Sequence, residues 1–599
     1  MLSGRGPCRP LEATPIPPLD PSDPTSRTRW LPATLLVLAV AAAALLFGLG
    51  RSDTYNPDEP RELEMAREML AGGDLVTPRL NTEPFLEKPP LFYWLVSAAY
   101  RVAGGPGETP GRVVPAIAGI LTVLLTFVLA RSLLGGATAT LAALVLLTSF
   151  EFFYIARRTM IDMPLTLATT AACVGLHFAI AGAGSGGVAG RGRRAWLAFG
   201  YAALAAALMF KGIVGAGIPG LAIVGWIAIR RDWRGIVRHG LIPGALLALV
   251  PVGLWVAALH DRLGAAAVRE FVLVNNIMRF TGGAAKGHDN PPWYYLPTLL
   301  TDMTPWSILL PSALVAALGA AARRHPGLRD LLLWFGLPLV LLSIASTKRG
   351  IYLLPIYPPA AILVAWWLAG GEGAPAAPRR GRRIALWLLF IMLILLAVAV
   401  LVIGIAGRPG ERLVPAVLGA LLAWPVAVAW SAARRDDGRR LGLAVAGGTA
   451  LIFVAALAWA APGIVNHGVS ARTAGGEMRA LAEAGDRIAL YRFHQGMMGG
   501  FLFYSGRTYP NLRDAEELRR HLESDQAGGG RALVLMRSGA FDEAARALPF
   551  PILEARRYVF RKMPGVERGA GAGDYVLVVR APAEREGAGA PGPAGLPGP

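Results

Sequence analysis

Tyr55–Pro90, YNPDEPRELEMAREMLAGGDLVTPRLNTEPFLEKPP, is the first long polar stretch in a chain built mostly of apolar runs. It carries Asp58, Glu59, Arg61, Glu87 and Lys88, and its prolines restrict the backbone around them. It reads as one wall of a catalytic cavity at a membrane surface, because the rest of the chain supplies little chemistry of its own. Of 599 residues, 54% are hydrophobic and 17% charged, too apolar for a soluble globular chain of this size. Apolar runs near the ~20 residues needed to cross a bilayer recur along it. The fold class is therefore a polytopic α-helical membrane protein. The net charge of +19 sits largely as Arg in short loops between apolar runs, which signals orientation rather than nucleic-acid binding. The two cysteines, Cys8 and Cys173, lie in a Pro-rich tail and an apolar run, so no disulfide framework is expected.

Topology turns on Leu91–Ala103, LFYWLVSAAYRVA, which follows the polar stretch. If it spans the membrane, every later loop changes side and the Arg-rich loops fall outside. If it lies at the interface, the spans run 30–50, 112–131, 137–155, 163–181, 195–210, 212–229, 240–259, 297–318, 328–346, 351–369, 384–406, 413–432 and 441–462, about thirteen helices. Arg131, Arg191/Arg193/Arg194, Arg230/Arg231/Arg234/Arg238, Arg323/Arg324/Arg329, Arg379/Arg380/Arg382/Arg383 and Arg434/Arg435/Arg439/Arg440 then share the inner side, as the positive-inside rule requires. Residues 91–103 are accordingly read as non-spanning. The same choice gathers Asp58, Glu87, Lys88, Arg158, Asp162, Lys211, Arg279, His288 and Lys348 on the outer face.

Four segments follow. Residues 1–29, rich in Pro, Ser and Thr, read as a disordered tail, 30–462 as the transmembrane domain, 463–582 as a small α/β domain on the outer (periplasmic) side, and 583–599 as a second disordered tail. The α/β reading rests on alternating runs (DRIALYRF, RALVLMRS, DYVLVVR) interleaved with helical patterns (AEELRRHLE, FDEAARAL).

Asp58 sits between Pro57 and Pro60, a good N-cap for an amphipathic helix near 59–70 with Leu63, Ala66 and Leu70 on one face. It is also a carboxylate at headgroup depth, a candidate base. Lys88, before Pro89-Pro90, either snorkels or binds a lipid-linked phosphate. Asp162 can cap its helix, but an ionisable group flush with two apolar spans is a functional candidate by default. Arg279 is a phosphate-clamp candidate, because a guanidinium forks onto phosphate oxygens. His288 lacks a neighbouring carboxylate–His pair at metal-ligand spacing. No phosphate loop, dinucleotide fingerprint or Cys/His zinc spacing occurs, so no nucleotide cofactor is expected.

The ordered set NPDEPRELEMAREMLAGGDLVTPRLN, FLEKPPLFYWL, RRTMIDMPLTL, FKG, NNIMRF and STKRGIYLLPIYPP resembles the bacterial aminoarabinose transferases that modify lipid A. More broadly it is similar to the polyprenyl-phosphate-sugar glycosyltransferases that include the protein O-mannosyltransferases. The resemblance covers residues 30–370 and implies the GT-C membrane glycosyltransferase fold with a C-terminal periplasmic domain. It implies an inverting glycosyltransferase of the bacterial inner membrane. The sugar would move from a polyprenyl-phosphate donor, such as undecaprenyl phosphate, to a lipid, glycan or protein acceptor at the outer face. Under it Asp58 and Asp162 are the catalytic acids, and Arg61, Lys88 and Arg279 bind the donor phosphate. Glu59, Arg158, Lys211, Lys348 and Tyr352 line the cavity, and Glu87 is a candidate contact for a divalent metal. Where relatives carry a His shortly before the Arg-Phe pair, this chain has Asn275 and Asn276. The alternative class is an ion- or proton-coupled transporter or lipid flippase, but transporters place such groups near the midplane in repeated halves. Here they lie at span ends and no repeat is evident. A scaffold whose outer domain binds partners is a third. Reporter fusions at residues 58 and 162 are expected to report the same, non-cytoplasmic compartment; opposite compartments would refute a shared site.

Overall fold

The computed structural model describes residues 24–54, 58–181, 191–278, 290–319, 325–370, 379–407, 413–468, 470–524, 530–560 and 573–581. Arg279, His288, Asn56-Pro57 and most of both expected tails lie outside these. The first helix, Pro24–Leu46, begins inside the stretch expected to be a disordered tail.

Among the described residues, nine helices are long and apolar enough to cross a membrane. A tenth span forms if Gly136–Leu147 and Phe150–Ala156, bent by 67°, count as one. The thirteen expected spans all fall on helical segments, but three are shorter, more polar or broken. Leu31–Leu46 is short. Arg191–Lys211 carries Arg191, Arg193 and Arg194 in its first turn and Lys211 at its end. The run 297–318 splits into Tyr295–Asp302, Trp306–Ile308 and Leu310–Leu318 around Pro305, which has no N–H to continue a helix. At the centre, every residue of Tyr357–Leu368 is buried.

Leu91–Ala103 is a 13-residue helix, about 20 Å at 1.5 Å per residue, too short to span. It packs on the helix Asp58–Gly72: Ser97 Oγ donates to the Ala66 carbonyl (3.0 Å) and Tyr100 OH to that of Leu63 (3.1 Å). Asp58 and Glu59 occupy the first turn of that helix, as its dipole favours, with Pro60 beside them. The sequence predicts one apolar face here, yet Glu59, Glu62 and Glu64 are buried together with Leu63 and Ala66. The reason is that each acid finds a cation (Arg112 and Arg158 for Glu59, Lys88 for Glu62, Arg67 for Glu64) while the C-terminal helix Gln495–Ser505 packs on another side of the same helix, and local periodicity registers neither.

Glu59, 0% exposed, is the junction of this region. Arg112 reaches it through Nε (2.7 Å) and Nη2 (3.1 Å), Arg158 through Nη1 (3.0 Å), and Thr159 through its backbone N–H (3.1 Å). Arg112 Nη1 also donates to the carbonyls of Leu49 and Ser52, and Arg157 donates to those of Ala44, Leu45 and Phe47. The end of the first span, the span Glu108–Leu134 and the turn before Asp162 are thus tied to one carboxylate. Gly111 permits the approach, since a Cβ there would lie 2.2 Å from Leu63 Cδ2.

The C-terminal domain holds a five-stranded sheet in the order Asn511–Leu512, Arg487–Tyr491, Ala532–Arg537, Gly573–Arg580, Ile552–Phe560. The first two junctions are parallel and the last two antiparallel. The edge strand Ile552–Phe560, ILEARRYVF, is hidden in sequence by its charges, which suit an exposed edge. The domain docks through Asn81, whose side chain exchanges two hydrogen bonds with the Tyr509 backbone (2.7 and 2.9 Å), and through Tyr504 OH, which accepts from Thr54 N–H (2.8 Å). Glu59→Ala leaves two buried guanidiniums without their acid and is expected to cost about 3–5 kcal/mol of stability. Denaturant unfolding in detergent measures it; a loss below about 1 kcal/mol, the range of an exposed pair, would contradict the assignment.

Candidate active site

A cavity of about 430 Å³ opens where helix Asp58–Gly72, the Glu87–Lys88 corner, the ends of several spans and the C-terminal domain meet. Asp58, Arg61, Glu87, Lys88, Asp162, Lys211 and Tyr352, far apart in sequence, all line it. So do Asn275, Asn276, Thr347, Arg349, His494 and Gln495, with Val214, Leu342, Ala345 and Ile351 on the side of the spans.

Four cations and three carboxylates share this wall. Asp58 lies between Arg61 (2.7 Å) and Arg349 (2.5 Å). Lys88 Nζ donates to Glu62, buried behind the wall, at 2.6 Å. Lys211 Nζ donates to Asp162 Oδ1 at 2.6 Å and sits 4.2 Å from the centre of the Tyr352 ring, a cation–π contact. Burial alone would raise the Asp58 carboxyl, but the Arg61 and Arg349 guanidiniums overrule it and hold Asp58 well below the usual carboxylate range. Burial also opposes the charges on Arg61 and Arg349, and Asp58 in turn lifts both above the ordinary guanidinium value. Glu59 behaves alike: desolvation pushes it up, Arg112 and Arg158 pull it further down.

Three expected cavity residues lie elsewhere. Glu59 and Arg158 are consumed by the junction beneath the wall. Lys348 is buried and turned away, donating to the carbonyls of Asn290 (2.8 Å) and Ala345 (2.5 Å). Its neighbour Arg349 faces the cavity instead. The backbone at Arg349 is extended (φ −137°, ψ 145°), and successive side chains of an extended chain point to opposite sides. Only one of two adjacent cations can face inward, and the sequence does not say which. Asn275 Nδ2 donates to the Leu86 carbonyl (3.1 Å), which sets it beside Glu87. It sits in a wide-turned π-helical segment, Glu270–Met278, a distortion frequent at functional sites. His494 and Gln495 escape sequence reasoning because only the tertiary fold brings the C-terminal domain here.

Among the described residues, no group of three or more His, Cys, Asp and Glu side chains gathers as a metal ion would need. Asp58 is engaged by two arginines, and Asn275 and Asn276 offer only amides. Among the described residues, Glu87 therefore has no ligand set with which to hold a divalent metal.

The arrangement suits an amphiphile with an anionic head. Cations are held in place by carboxylates with which an incoming phosphate would compete for the same hydrogens. Residues 87–255 match the family described as dolichyl-phosphate-mannose-protein mannosyltransferase. An undecaprenyl phosphate-alpha-4-amino-4-deoxy-L-arabinose arabinosyl transferase of Edwardsiella ictaluri is 33% identical over 416 residues, 66% of this chain and 72% of that protein. One from Pectobacterium carotovorum is 33% identical over 425 residues, 69% and 73%. The crystal structure of ArnT from Cupriavidus metallidurans bound to undecaprenyl phosphate shares the fold: its TM-score is 0.70 at 22% identity, covering 92% of this chain and 98% of that one. A charged cavity at the ends of apolar spans, on a fold shared with ArnT and with relatives alike over two thirds of their length, places the chain in the undecaprenyl phosphate-aminoarabinose transferase family, a family of multi-pass membrane glycosyltransferases.

Proposed function

We propose that this cavity binds an undecaprenyl phosphate-linked aminosugar and passes the sugar, with inversion, to a phosphate of a lipid A-type acceptor on the periplasmic face. The observation that carries this reading is the convergence of Asp58, Arg61, Lys88, Asp162, Lys211 and Arg349 beside the apolar residues Val214, Leu342 and Ile351. The prenyl chain lies along the apolar side. The phosphate takes hydrogens from Lys88, Arg61 and Arg349 that now go to Glu62 and Asp58. Arg279, outside the described residues, is a further candidate for the same phosphate. Residues 30–462 supply the membrane domain and 463–582 the outer domain.

The reaction forms a bond from an acceptor oxygen to the anomeric carbon and breaks the bond from that carbon to the phosphate oxygen. The electron pair leaves with the lipid phosphate, and fixed cations in a water-poor site stabilise the charge that develops there. Asp58, held as a weak base by two guanidiniums, is poorly suited to deprotonating a hydroxyl. An acceptor phosphate brings its own negative charge and needs no base. Asp58 then orients the arginines and stabilises positive charge on the sugar ring, and Asp162 positions Lys211. The transporter alternative finds no support, since the charges lie at span ends and the family is one of transferases.

With purified protein in proteoliposomes, undecaprenyl phosphate-aminoarabinose and lipid A, Lys88→Ala and Arg349→Ala are expected to lower transfer by about 10²–10³-fold. Mass spectrometry of the lipid reads it, and undiminished transfer in both would refute the phosphate site. The depressed carboxyls carry a pH signature. Asp58 and Glu59 lie below their ordinary values of 3.8 and 4.5, so their stabilisation is present above those values and lost as the pH falls below them. These two groups should therefore lower the melting midpoint as the pH falls below about 4, and Asp58→Asn should flatten that drop. Superimposable acid limbs in both proteins would show that Asp58 is not depressed.

A further inference from the structure

The membrane domain does not complete the cavity wall. His494 and Gln495 line it, and both belong to the C-terminal domain. They stand at the start of the helix Gln495–Ser505, which lies against helix Asp58–Gly72 at Arg61. Contact there is at backbone distance, for a Cβ on Gly499 would come within 2.7 Å of the Arg61 N and Cα atoms. On the other side, the backbone just before His494 is clamped. Phe493 N–H donates to Asn511 Oδ1 (3.1 Å) and Asn511 Nδ2 donates to the Phe493 carbonyl (2.9 Å). The Phe493 and Phe501 rings pack on Tyr575. His494 is thus an exposed side chain on a fixed backbone.

Its own geometry sets what it can offer. His494 is the N-cap of the helix, and its Nδ1 accepts from Gly496 N–H (3.3 Å). A neutral ring accepting at Nδ1 carries its hydrogen on Nε2 and is a donor there. The Gln495 amide adds two donors and one acceptor. Val214, Leu342 and Ile351 line the same cavity with hydrocarbon from the spans. A prenyl tail belongs on that side and a hydrated acceptor on the other.

We infer that His494, with Gln495, forms the acceptor-side wall of the active site, where His494 Nε2–H donates to an oxygen of the incoming acceptor head group and so sets acceptor rather than donor affinity. This rests on the donor site proposed above, in which Lys88 and Arg61 hold the donor phosphate. The C-terminal domain is then part of the transferase centre and reads the acceptor.

The full chain in proteoliposomes, assayed with lipid A varied at saturating undecaprenyl phosphate-aminoarabinose and then the reverse, tests it. His494→Ala is expected to raise the KM for lipid A about 10-fold, the worth of one hydrogen bond to a charged group. The KM for donor should not move, and the melting midpoint should fall only by what the loss of one helix N-cap costs. His494→Gln, which keeps an N–H near the Nε2 position, should recover to within about threefold of wild type. An unmoved acceptor KM, or a shift in the donor KM instead, overturns the inference. Lys88→Ala in the same assay keeps the two readings apart: a normal donor KM there sinks the donor site, whatever His494 does.

Discussion

The Glu59 carboxylate is the constraint on which the rest of the structure depends. It is fully buried and takes hydrogen bonds from Arg112, Arg158 and the Thr159 backbone. Two guanidiniums and one carboxylate cannot be buried cheaply, and they are tolerated because they pair with one another and Arg112 also donates to the Leu49 and Ser52 carbonyls. Geometry is what the cluster secures. It fixes the start of helix Asp58–Gly72 against the span Glu108–Leu134 and the turn leading to Asp162. Asp58 immediately precedes Glu59, and Asp162 lies four residues beyond Arg158. Positions in two cavity-lining segments are therefore set by one buried node.

Above that node, the cavity keeps its cations occupied. Arg61 and Arg349 share Asp58, Lys88 leans on Glu62, and Lys211 on Asp162. Such pairing has two effects. It keeps the side chains in defined rotamers, so little ordering entropy remains to be lost when an anion binds. It also makes binding an exchange, in which a phosphate replaces carboxylates rather than filling an uncompensated positive hole.

Much of this was legible in the sequence, for identifiable reasons. Span lengths report bilayer thickness, which the solvent imposes and which is readable locally. Asp162, Lys211 and Tyr352 sit at span ends, and Asp58, Arg61 and Lys88 in the polar stretch between spans, where polar side chains are conspicuous. What failed was whatever depended on a partner distant in the chain. Glu59 and Arg158 looked like cavity residues because they are charged and adjacent to cavity residues, but each was claimed by the other. Lys348 and Arg349 are chemically similar neighbours, and only the extended backbone chose between them. Glu62 gave no sign of its role, since its partner Lys88 lies 26 residues on.

The C-terminal domain was the least legible element, and physics explains why. An α/β domain is recognisable from its strands, but where it docks depends on a surface it does not encode alone. Docking here uses Asn81 on Tyr509, Thr54 on Tyr504, and a glycine, Gly499, against the Arg61 backbone. None of these leaves a periodic signal. Yet the consequence reaches the centre of the site. The helix Asp58–Gly72 is covered on one side by the C-terminal helix Gln495–Ser505, and that helix brings its own first residues to the rim. A membrane domain that presents hydrocarbon on one side of its cavity leaves the aqueous side to be finished by something soluble. His494 and Gln495 stand where that finishing has to occur.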